Sequence, residues 1–353
     1  MRSRLPGKNA WLSPRPSACF SLLSKYRGLT VKILYILSLV WAVAAGPAMA
    51  SSAGSRSFSF SYEVLAGEFP SNEAVDIFLP LPVEDSSQRI LKQSIESSLP
   101  GETGIEERYG NRYYRVHRPA NVNAPIQVTM TWEVSRDRVV AGQVQPLDAA
   151  DREKYLAPNT LVPVGHEVLQ PILQEIHAMR ADDSPQATAR AIYDWVVDNV
   201  EYKKVGSGWG NGDTFWACSE RYGNCTDFHA LFISLARTEG IPARFEIGFP
   251  IPEDRPAGEV GGYHCWVEFY LPQQGWVPID ASEAAKHPEK RELYYGTQPA
   301  DRIHFTTGRD LVLSSASAHM PLNYLIYPYV EVGGKPWRVK LQQRFSYDSQ
   351  AMP

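Results

Sequence analysis

The segment from residue 222 to residue 229 reads Tyr-Gly-Asn-Cys-Thr-Asp-Phe-His, where a turn runs directly into an amphipathic helix. Asn224 is a favourable N-cap residue, and Asp227 places negative charge in the first helical turn, where the helix dipole favours it. The same dipole favours the thiolate form of Cys225. Apolar positions continue at helical spacing up to Gly240, which ends the helix. The segment therefore predicts a reactive thiol at a helix start.

Two downstream segments carry the other residues that a thiol nucleophile needs. His264 lies in Gly-Tyr-His-Cys-Trp-Val-Glu-Phe-Tyr (262–270), and Asp280 lies in Gly-Trp-Val-Pro-Ile-Asp-Ala-Ser (275–282). Both segments have the pattern of strands, and their spacing fits a hairpin that brings the two side chains together. A histidine can take the thiol proton while an aspartate holds its other ring nitrogen. This order of residues indicates a thiol acyl-transfer site.

The strand that carries His264 is predicted to bury only one of its faces. Alternation puts His264 and Trp266 on one face, and Cys265 and Val267 on the opposite, apolar face. We expect Cys225 to reach His264 only if the helix start abuts the first of these faces.

Each of the three residues also has an ordinary structural explanation. A lone cysteine is most often a small buried residue, a single histidine is most often satisfied in a core or at a surface, and Asp280 could cap a strand end. One geometry that uses all three residues is the simpler hypothesis. We therefore predict that Cys225, His264 and Asp280 are catalytic.

A zinc site is the competing hypothesis, because cysteine and histidine side chains are common zinc ligands. No two cysteines have the short spacing of a zinc knuckle, and neighbouring strand residues point to opposite faces. One helical turn separates Cys225 from His229, which we expect to pack behind the site. We predict no metal here, although the potential ligands are Cys218, Cys225, His229, His264 and Cys265.

Residues 1–50 have the features of a secretory signal. Basic residues between positions 25 and 32 precede the apolar run 33–45, and Ala48-Met49-Ala50 fits a cleavage site. The apolar run is shorter than the roughly 20 residues that span a membrane, so we predict cleavage rather than a retained anchor. The mature protein is then exported, to the periplasm or outside the cell.

The basic region before this apolar run is unusually long. Residues 1–24 exceed what a signal needs, and we expect translation to begin near Leu29 or Val31. Sequencing of an uncleaved precursor that starts at Met1 would contradict this expectation.

Export implies an oxidising compartment, and three cysteines remain once Cys19 is removed. An odd number leaves at least one thiol free or engaged between molecules. The simplest pairing joins Cys218 to Cys265 and leaves Cys225 reduced. The alternative is that these cysteines are simply small buried residues.

The distribution of charge restricts the possible partners. Seven of the 35 basic residues, and none of the 39 acidic residues, lie in residues 1–50, which leaves 28 basic against 39 acidic residues. Such an acidic chain argues against nucleic acid or an anionic membrane surface as a partner. We expect a protein or peptide substrate, for example one in the cell envelope, and no stable membrane anchor after cleavage.

Patterns of periodicity divide the mature chain into three parts. Residues 51–150 alternate with period two, which predicts an antiparallel, sandwich-like β domain without a catalytic constellation. Residues 155–285 begin as helices and continue as strands, and they contain the site. Residues 286–353 predict β segments that complete the sheet or pack on the first domain. The fold class is therefore α+β.

Two further predictions concern connections. Strands at 324–332 and 337–345 are predicted to form a hairpin about Gly333-Gly334. Residues 206–224 are predicted to be a long loop rich in glycine and aromatic residues. Loops of this length are often functional. This loop lacks the lysine of a phosphate-binding loop, so we exclude nucleotide binding.

Four segments resemble the transglutaminase-like superfamily, bacterial exported branch, in which a β-rich segment precedes the core. The resemblance is strong from about residue 185 to about residue 285 and extends back to about residue 155. It implies a papain-like core of helices packed on an antiparallel sheet, preceded by a β-sandwich-like domain. The segments are Gly223-Asn224-Cys225-Thr226-Asp227-Phe228, Gly240-Ile241-Pro242-Ala243-Arg244, Tyr263-His264-Cys265-Trp266-Val267-Glu268 and Trp276-Val277-Pro278-Ile279-Asp280.

The resemblance implies that Cys225 is the nucleophile, His264 the base and Asp280 the orienting residue, with no metal or organic cofactor. It implies cleavage or formation of amide bonds through a thioester. The backbone N–H of Cys225 is expected to stabilise the oxyanion. In eukaryotic members an upstream tryptophan supplies a second donor, and the candidates for such supporting roles are Asn224, Trp209, Trp216 and His229.

Three functions are compatible with these residues. We favour an exported thiol peptidase or amidase. A protein-crosslinking transglutaminase is the second hypothesis. The third is a non-catalytic binding or assembly module with a vestigial thiol site, although the intact Cys225, His264 and Asp280 argue against it. A superfamily of this breadth does not fix the reaction.

Overall fold

A computed structural model describes residues 54–350 of the chain, which form an α+β fold of helices and mainly antiparallel sheets, as predicted. The predicted signal sequence lies outside the described residues. Between residues 54 and 350, no helix is both long and apolar enough to cross a membrane.

The helices lie mainly in the middle of the chain and the strands on both sides of it. Short 3-10 turns precede the second helix and follow the sixth. The helices are α1 (Ala149–Leu156), α2 (Gln170–Met179), α3 (Pro185–Asn199), α4 (Thr214–Glu220), α5 (Cys225–Thr238), α6 (Ala281–Lys286) and α7 (Ser315–His319). The strands are β1 (Ser55–Ala66), β2 (Val75–Pro80), β3 (Gln88–Ser97), β4 (Gly101–Ile105), β5 (Arg112–Arg118), β6 (Ile126–Asp137), β7 (Val139–Val140), β8 (Glu201–Tyr202), β9 (Tyr222–Gly223), β10 (Ala243–Pro250), β11 (Ala257–Glu259), β12 (His264–Leu271), β13 (Gly275–Ile279), β14 (Thr297–Gln298), β15 (Arg302–Thr307), β16 (Tyr329–Val332), β17 (Lys335–Pro336) and β18 (Gln342–Asp348).

The first six strands are divided between two five-stranded sheets. One sheet has the order β11-β18-β1-β6-β3, and the other has the order β17-β16-β2-β5-β4. Both sheets therefore contain strands from the C-terminal part of the chain. A single cluster of buried apolar side chains includes residues of both sheets and of the helices, so the β-rich region shares its core with the rest of the described chain.

The predicted C-terminal hairpin is only half correct. A tight turn at Gly333 and Gly334, both with positive φ, joins β16 to the short strand β17. The predicted second strand instead begins at Gln342 and pairs with β1, in antiparallel register. Alternating burial on both β1 and β18 allows this pairing, but a sequence pattern does not reveal which distant strand is the partner.

The central sheet, in the order β13-β12-β10-β15, positions the candidate site. Helix α5 packs on β10 and β12, and its residues from Cys225 to Arg237 are all buried. A helix that is buried on every side must be the centre of its domain. Its N-terminus lies at the end of the sheet where β12 begins, as the contacts of Cys225 with the first two residues of β12 show.

Candidate active site

The backbone at the start of α5 is fixed by a capping box. Asn224 has extended backbone dihedrals, and its Oδ1 accepts a hydrogen bond from the Thr226 N–H at 2.9 Å. The carboxylate of Asp227 accepts the Asn224 N–H in return, at 2.9 Å. Two of the N–H groups that a helix start leaves without helical partners are thereby satisfied. Cys225, the first residue of the helix, is held rigidly and is 2% exposed.

Asp227 also anchors the glycine-rich segment in front of the helix. Its two carboxylate oxygens accept the N–H groups of Gly210 at 2.6 Å and Gly212 at 2.9 Å. Both glycines have positive φ, at 85° and 59°, which other residues adopt only with strain. The predicted loop 206–224 is wrong in one respect, because Thr214–Glu220 is the helix α4, capped by Asp213.

His264 and Asp280, the expected base and orienting residue, are joined by a short polar contact. Nε2 of His264 lies 2.6 Å from Oδ2 of Asp280. The antiparallel pairing of β12 with β13, which sets Val267 opposite Ile279, brings the two residues together. The Cys225 thiol is within hydrogen-bonding reach of the His264 side chain. Because Nε2 faces Asp280, Nδ1 is the ring nitrogen available to the sulfur.

Asp280 combines this contact with a helix cap. Its Oδ1 accepts hydrogen bonds from Ser282 Oγ and from the Glu283 N–H, each at 3.0 Å, and it is the N-cap of α6. Its Oδ2 accepts from His264 and, at 3.1 Å, from Nη1 of Arg302. The Asp280 carboxylate therefore both caps α6, at the end of β13, and contacts His264.

The charges of the site favour a thiolate and an imidazolium. Burial alone would raise the pKa of Cys225, but hydrogen bonds from Cys265 and His264, with the charge on His264, hold that pKa well below its usual value. Burial alone would lower the pKa of His264, but the Asp280 carboxylate overrides this and raises the pKa to about 10. Burial would also raise the pKa of Asp280, and the charge on His264 keeps it well below its usual range.

Cys265 lies beside Cys225, which the sequence did not suggest. Cys225 contacts both His264 and Cys265, because it sits at the very start of β12 where both faces are reachable. Every residue of β12 is buried, so the expected division into one covered and one uncovered face is wrong. Of the two alternatives for the cysteines, the structure has the one without a Cys218–Cys265 disulfide, since Cys218, Cys225 and Cys265 are all free thiols.

His229 packs behind the site, as expected for this residue one turn along α5. Its Nδ1 lies 3.5 Å from Sγ of Cys265, and its Nε2 lies 3.7 Å from Oδ1 of Asp280. Burial lowers the pKa of His229 to about 4, so the ring is neutral near pH 7. The neutral ring of His229 therefore lies between the Cys265 thiol and the Asp280 carboxylate and does not compete with His264 for a proton.

The two tryptophans considered as oxyanion donors have other partners. The indole N–H of Trp216 donates to the Tyr222 carbonyl at 3.1 Å, and that of Trp209 donates to the Gly206 carbonyl at 3.1 Å. Asn224 directs its Nδ2 to the hydroxyl of Tyr263 at 3.0 Å. In this conformation the available donor is the backbone N–H of Cys225, which as the first N–H of α5 has no partner within the helix.

Aromatic side chains cover the thiol, and sequence patterns did not single them out. The hydroxyls of Tyr263 and Tyr324 lie 3.4 Å apart, and Tyr324 donates to the Gly210 carbonyl at 3.2 Å. Both tyrosines are close enough to Cys225 for its charge to raise their pKa values further, after the larger effect of burial. Tyr324 reaches the site only through tertiary packing, which explains why local periodicity missed it.

One nitrogen and two carboxylates at the site are close enough to suggest a cation. The ligand atoms of His264, Asp280 and Glu283 lie within 4.8 Å of one another. Nε2 of His264 is already bonded to Asp280 at 2.6 Å, and Arg302 occupies the same carboxylate oxygen. A positive guanidinium at that oxygen disfavours a second cation there, so we assign no metal to this group.

Comparison with known proteins places this geometry in a family. Residues 172–281, which contain Cys225, His264 and Asp280, match the sequence profile of the transglutaminase-like superfamily. A crystal structure of a candidate cysteine protease from Cytophaga hutchinsonii has the same fold, with a TM-score of 0.54 and 20% identity. That match covers 83% of this chain and 98% of the other. Residues 172–281, which hold the candidate site, are therefore similar to the core of the transglutaminase-like superfamily.

Two curated relatives differ in how much of this chain they match. An uncharacterized protein of Haemophilus influenzae is 26% identical over 335 residues, covering 82% of this chain and 89% of that protein. A protein-glutamine gamma-glutamyltransferase of Pseudomonas aeruginosa is 35% identical over 65 residues, which are 17% of this chain and 10% of that enzyme. The first similarity extends over most of this chain, whereas the second is local.

Proposed function

We propose that this protein is a thiol enzyme that acts on amide bonds of a protein or peptide, with Cys225 as nucleophile, His264 as base and Asp280 as orienting residue. One observation carries the proposal. The Cys225 sulfur lies at the N-terminus of α5 in contact with His264, whose other ring nitrogen is 2.6 Å from Asp280. This is the arrangement of an activated nucleophile, its base and the group that fixes the base.

The reaction can be written from these side chains. The Cys225 thiolate attacks the carbonyl carbon of an amide, and the carbonyl oxygen takes the negative charge near the N-terminus of α5. Protonated His264 gives its Nδ1 proton to the nitrogen of the leaving amine, and the C–N bond breaks to leave a thioester. Neutral His264 then takes a proton from water, or from an amine, which attacks the thioester and releases Cys225.

The second reactant decides between hydrolysis and transfer. We favour water, so that the protein is a peptidase or amidase. Transfer to an amine, as in a protein-crosslinking transglutaminase, is the second candidate. The 65-residue similarity to the Pseudomonas aeruginosa protein-glutamine gamma-glutamyltransferase supports transfer as the second candidate reaction. The proposed chemistry uses only side chains and backbone, and we expect no cofactor.

The setting of the reaction is part of the proposal. The secretory signal predicted in residues 1–50 supports export to the periplasm or the cell exterior. The acidic balance of the remaining chain disfavours nucleic acid as a partner. We propose that the substrate is a protein or peptide that the exported chain meets in the cell envelope.

The test compares the wild type with Cys225→Ala and Cys218→Ala, the latter being a free cysteine on α4 away from the triad. Each protein is incubated with exported proteins and cell-wall peptides, with and without a biotinylated primary amine. We expect product from the wild type and Cys218→Ala, and at least about a thousandfold less from Cys225→Ala. New amino termini or free acids would indicate hydrolysis, and biotin incorporation would indicate transfer. Equal background with all three proteins would support the binding-module hypothesis instead.

A further inference from the structure

Asp280 has a second cationic partner besides His264. Arg302 is the first residue of β15, and its Nη1 lies 3.1 Å from Oδ2 of Asp280. That oxygen is the one that His264 approaches to 2.6 Å. Both members of the ion pair are buried, with Arg302 3% exposed and Asp280 2% exposed. A buried carboxylate is retained in its charged form only where such partners compensate it.

Arg302 is itself held in place by its surroundings. Its guanidinium carbon lies 5.3 Å from the centre of the Trp266 ring, and its Nε lies 3.4 Å from Oδ1 of Asp301. Trp266 is on β12, two residues after His264, and β15 is joined to β12 through β10. The sheet therefore fixes the distance between the arginine and the histidine that share the carboxylate oxygen. Nothing in the local sequence around Arg302 indicates this contact.

We propose that Arg302 is a positioning residue, which fixes the Asp280 carboxylate so that Oδ2 receives the Nε2–H of His264 and Nδ1 stays directed at Cys225. The inference rests on the proposed function, because it assigns Arg302 a task in forming the thiolate and imidazolium pair. Within residues 54–350, the side-chain contacts of Arg302 are with Asp280, Asp301 and the Trp266 ring, and they do not include the Cys225 sulfur. Arg302 acts through Asp280.

The charge of Arg302 has two opposing effects on the pair. It keeps Asp280 ionised, which supports the imidazolium, and it also repels the imidazolium directly. The first effect is larger, because Arg302 bonds to Asp280, whereas His264 is reached only through that carboxylate. The titratable groups that face Asp280 are Tyr193 on α3, Tyr202 on β8, His229 on α5, His264 and Cys265 on β12, Glu283 on α6, and Tyr294.

Arg136 supplies a matched control. Its guanidinium also lies beside the Trp266 ring, at 5.9 Å, and it is 2% exposed. It bonds to Gln88 and Gln298, at 3.1 and 2.7 Å, rather than to Asp280. Replacement of either arginine removes a buried charge next to the same ring, but only replacement of Arg302 removes a bond to Asp280.

The experiment measures the Cys225 thiolate directly. Ultraviolet thiolate absorbance is recorded against pH for Arg302→Met, Arg302→Lys and Arg136→Met, with the Cys225→Ala form of each subtracted. The pH at which the thiolate absorbance appears should be higher in Arg302→Met than in the wild type. It should stay nearer the wild-type value in Arg302→Lys and should be unchanged in Arg136→Met. With a substrate in hand, kcat should fall about tenfold or more in Arg302→Met while KM changes little.

A double variant keeps the test valid if Arg302→Met folds poorly. If Arg302 acts through Asp280, then Asp280→Asn/Arg302→Met should titrate like Asp280→Asn alone. A further shift in the double variant, or a wild-type profile in Arg302→Met, would overturn the role of Arg302 alone. A wild-type protein without any Cys225 thiolate near pH 7 would overturn the proposed function, and the role of Arg302 with it.

Discussion

Cys225 and Cys265 lie side by side, yet their surroundings move their pKa values in opposite directions. His264 and a hydrogen bond from Cys265 hold the pKa of Cys225 well below its usual value, against the effect of burial. Burial raises the pKa of Cys265 well above its usual value, and the neighbouring Cys225 raises it further. The pair therefore has one ionised member and one protonated donor rather than two equivalent thiols.

This difference predicts an order of alkylation. Iodoacetamide near pH 7 should modify Cys225 first, although Cys225 is 2% exposed and Cys218 is more exposed. Burial raises the pKa of Cys218 to about 11, so this residue is protonated and slow. Peptide mapping by mass spectrometry at successive times measures the order. If Cys218 reacts first, exposure rather than ionisation controls the thiols, and the lowered pKa of Cys225 is wrong.

The charge state of His264 gives a second prediction. Asp280 and the Cys225 thiolate are both anions beside the ring, and both contribute to raising its pKa to about 10. The His264 pKa should fall in Asp280→Asn and, by less, in Cys225→Ala, because removing an anion makes the imidazolium less stable. NMR titration of the histidine resonances measures the three values. Cys218→Ala is the control and should leave His264 unchanged.

Stability should depend on pH through the same pair. The folded pKa of His264 is about 10 against an ordinary 6.5, so its contribution is complete below pH 6.5 and declines as the pH rises toward 10. The pKa of Asp280 is lowered from 3.8, so its contribution is present above that pH and is lost as the pH falls. Both contributions are complete between about pH 4 and 6.5.

Replacement of Asp280 tests this window. Asp280→Asn should lower the free energy of unfolding by about 3–5 kcal/mol there, since it leaves buried cations without their anion. The difference from wild type should shrink as the pH rises toward 10. Asp301→Asn is the control, because Asp301 is partly exposed, and it should change stability by less than about 1 kcal/mol. Denaturant unfolding at several pH values measures both, and a constant difference would contradict the linkage.

Gly248 gives a prediction about the sheet. It pairs with His264 on one side and with His304 on the other, at an irregularity in the register of β10 and β15. A Cβ at Gly248 would lie 1.8 Å from the Ile303 carbonyl oxygen. Gly248→Ala should therefore displace β15, and with it Arg302, and should destabilise the protein by about 2 kcal/mol or more.

The matched substitution is Gly67→Ala, because a Cβ there has no neighbour within 4 Å. It should leave the unfolding midpoint close to that of the wild type. Thermal unfolding measures both variants. If Gly248→Ala is as stable as Gly67→Ala, then β10 and β15 accommodate the methyl group, and the close approach at Ile303 does not constrain the site.

Local patterns predicted the elements that carry the site. The helix expected to start at Cys225 and to end at Gly240 is Cys225–Thr238, and the strand expected within 275–282 is Gly275–Ile279. Periodicity, a capping residue and a terminal glycine fix such elements within a short stretch of chain. The fold class and the superfamily were predictable for the same reason, since the motifs that define them are contiguous.

Features that depend on distant partners were not predictable. Arg302 reaches Asp280 from another strand. Cys225 contacts Cys265 as well as His264, because the start of α5 meets the first residues of β12. The sequence left open whether Cys218 and Cys265 form a disulfide, because a count of cysteines contains no geometry, and the structure has both as free thiols. The pairing of β18 with β1 could not be predicted, because alternation of apolar and polar residues shows which face of a strand is buried but not which strand pairs with it.

The pairing of β1 with β18 also constrains how the molecule is made. Ser59 on β1 bonds to the Asp348 carbonyl, 289 positions later in the sequence. The ribosome delivers β1 long before β18, so this sheet cannot close until Asp348 has been synthesised. Contacts of such sequence separation form slowly. The nascent chain therefore has to survive a long interval with an open sheet edge, and its biogenesis depends on protection of that edge.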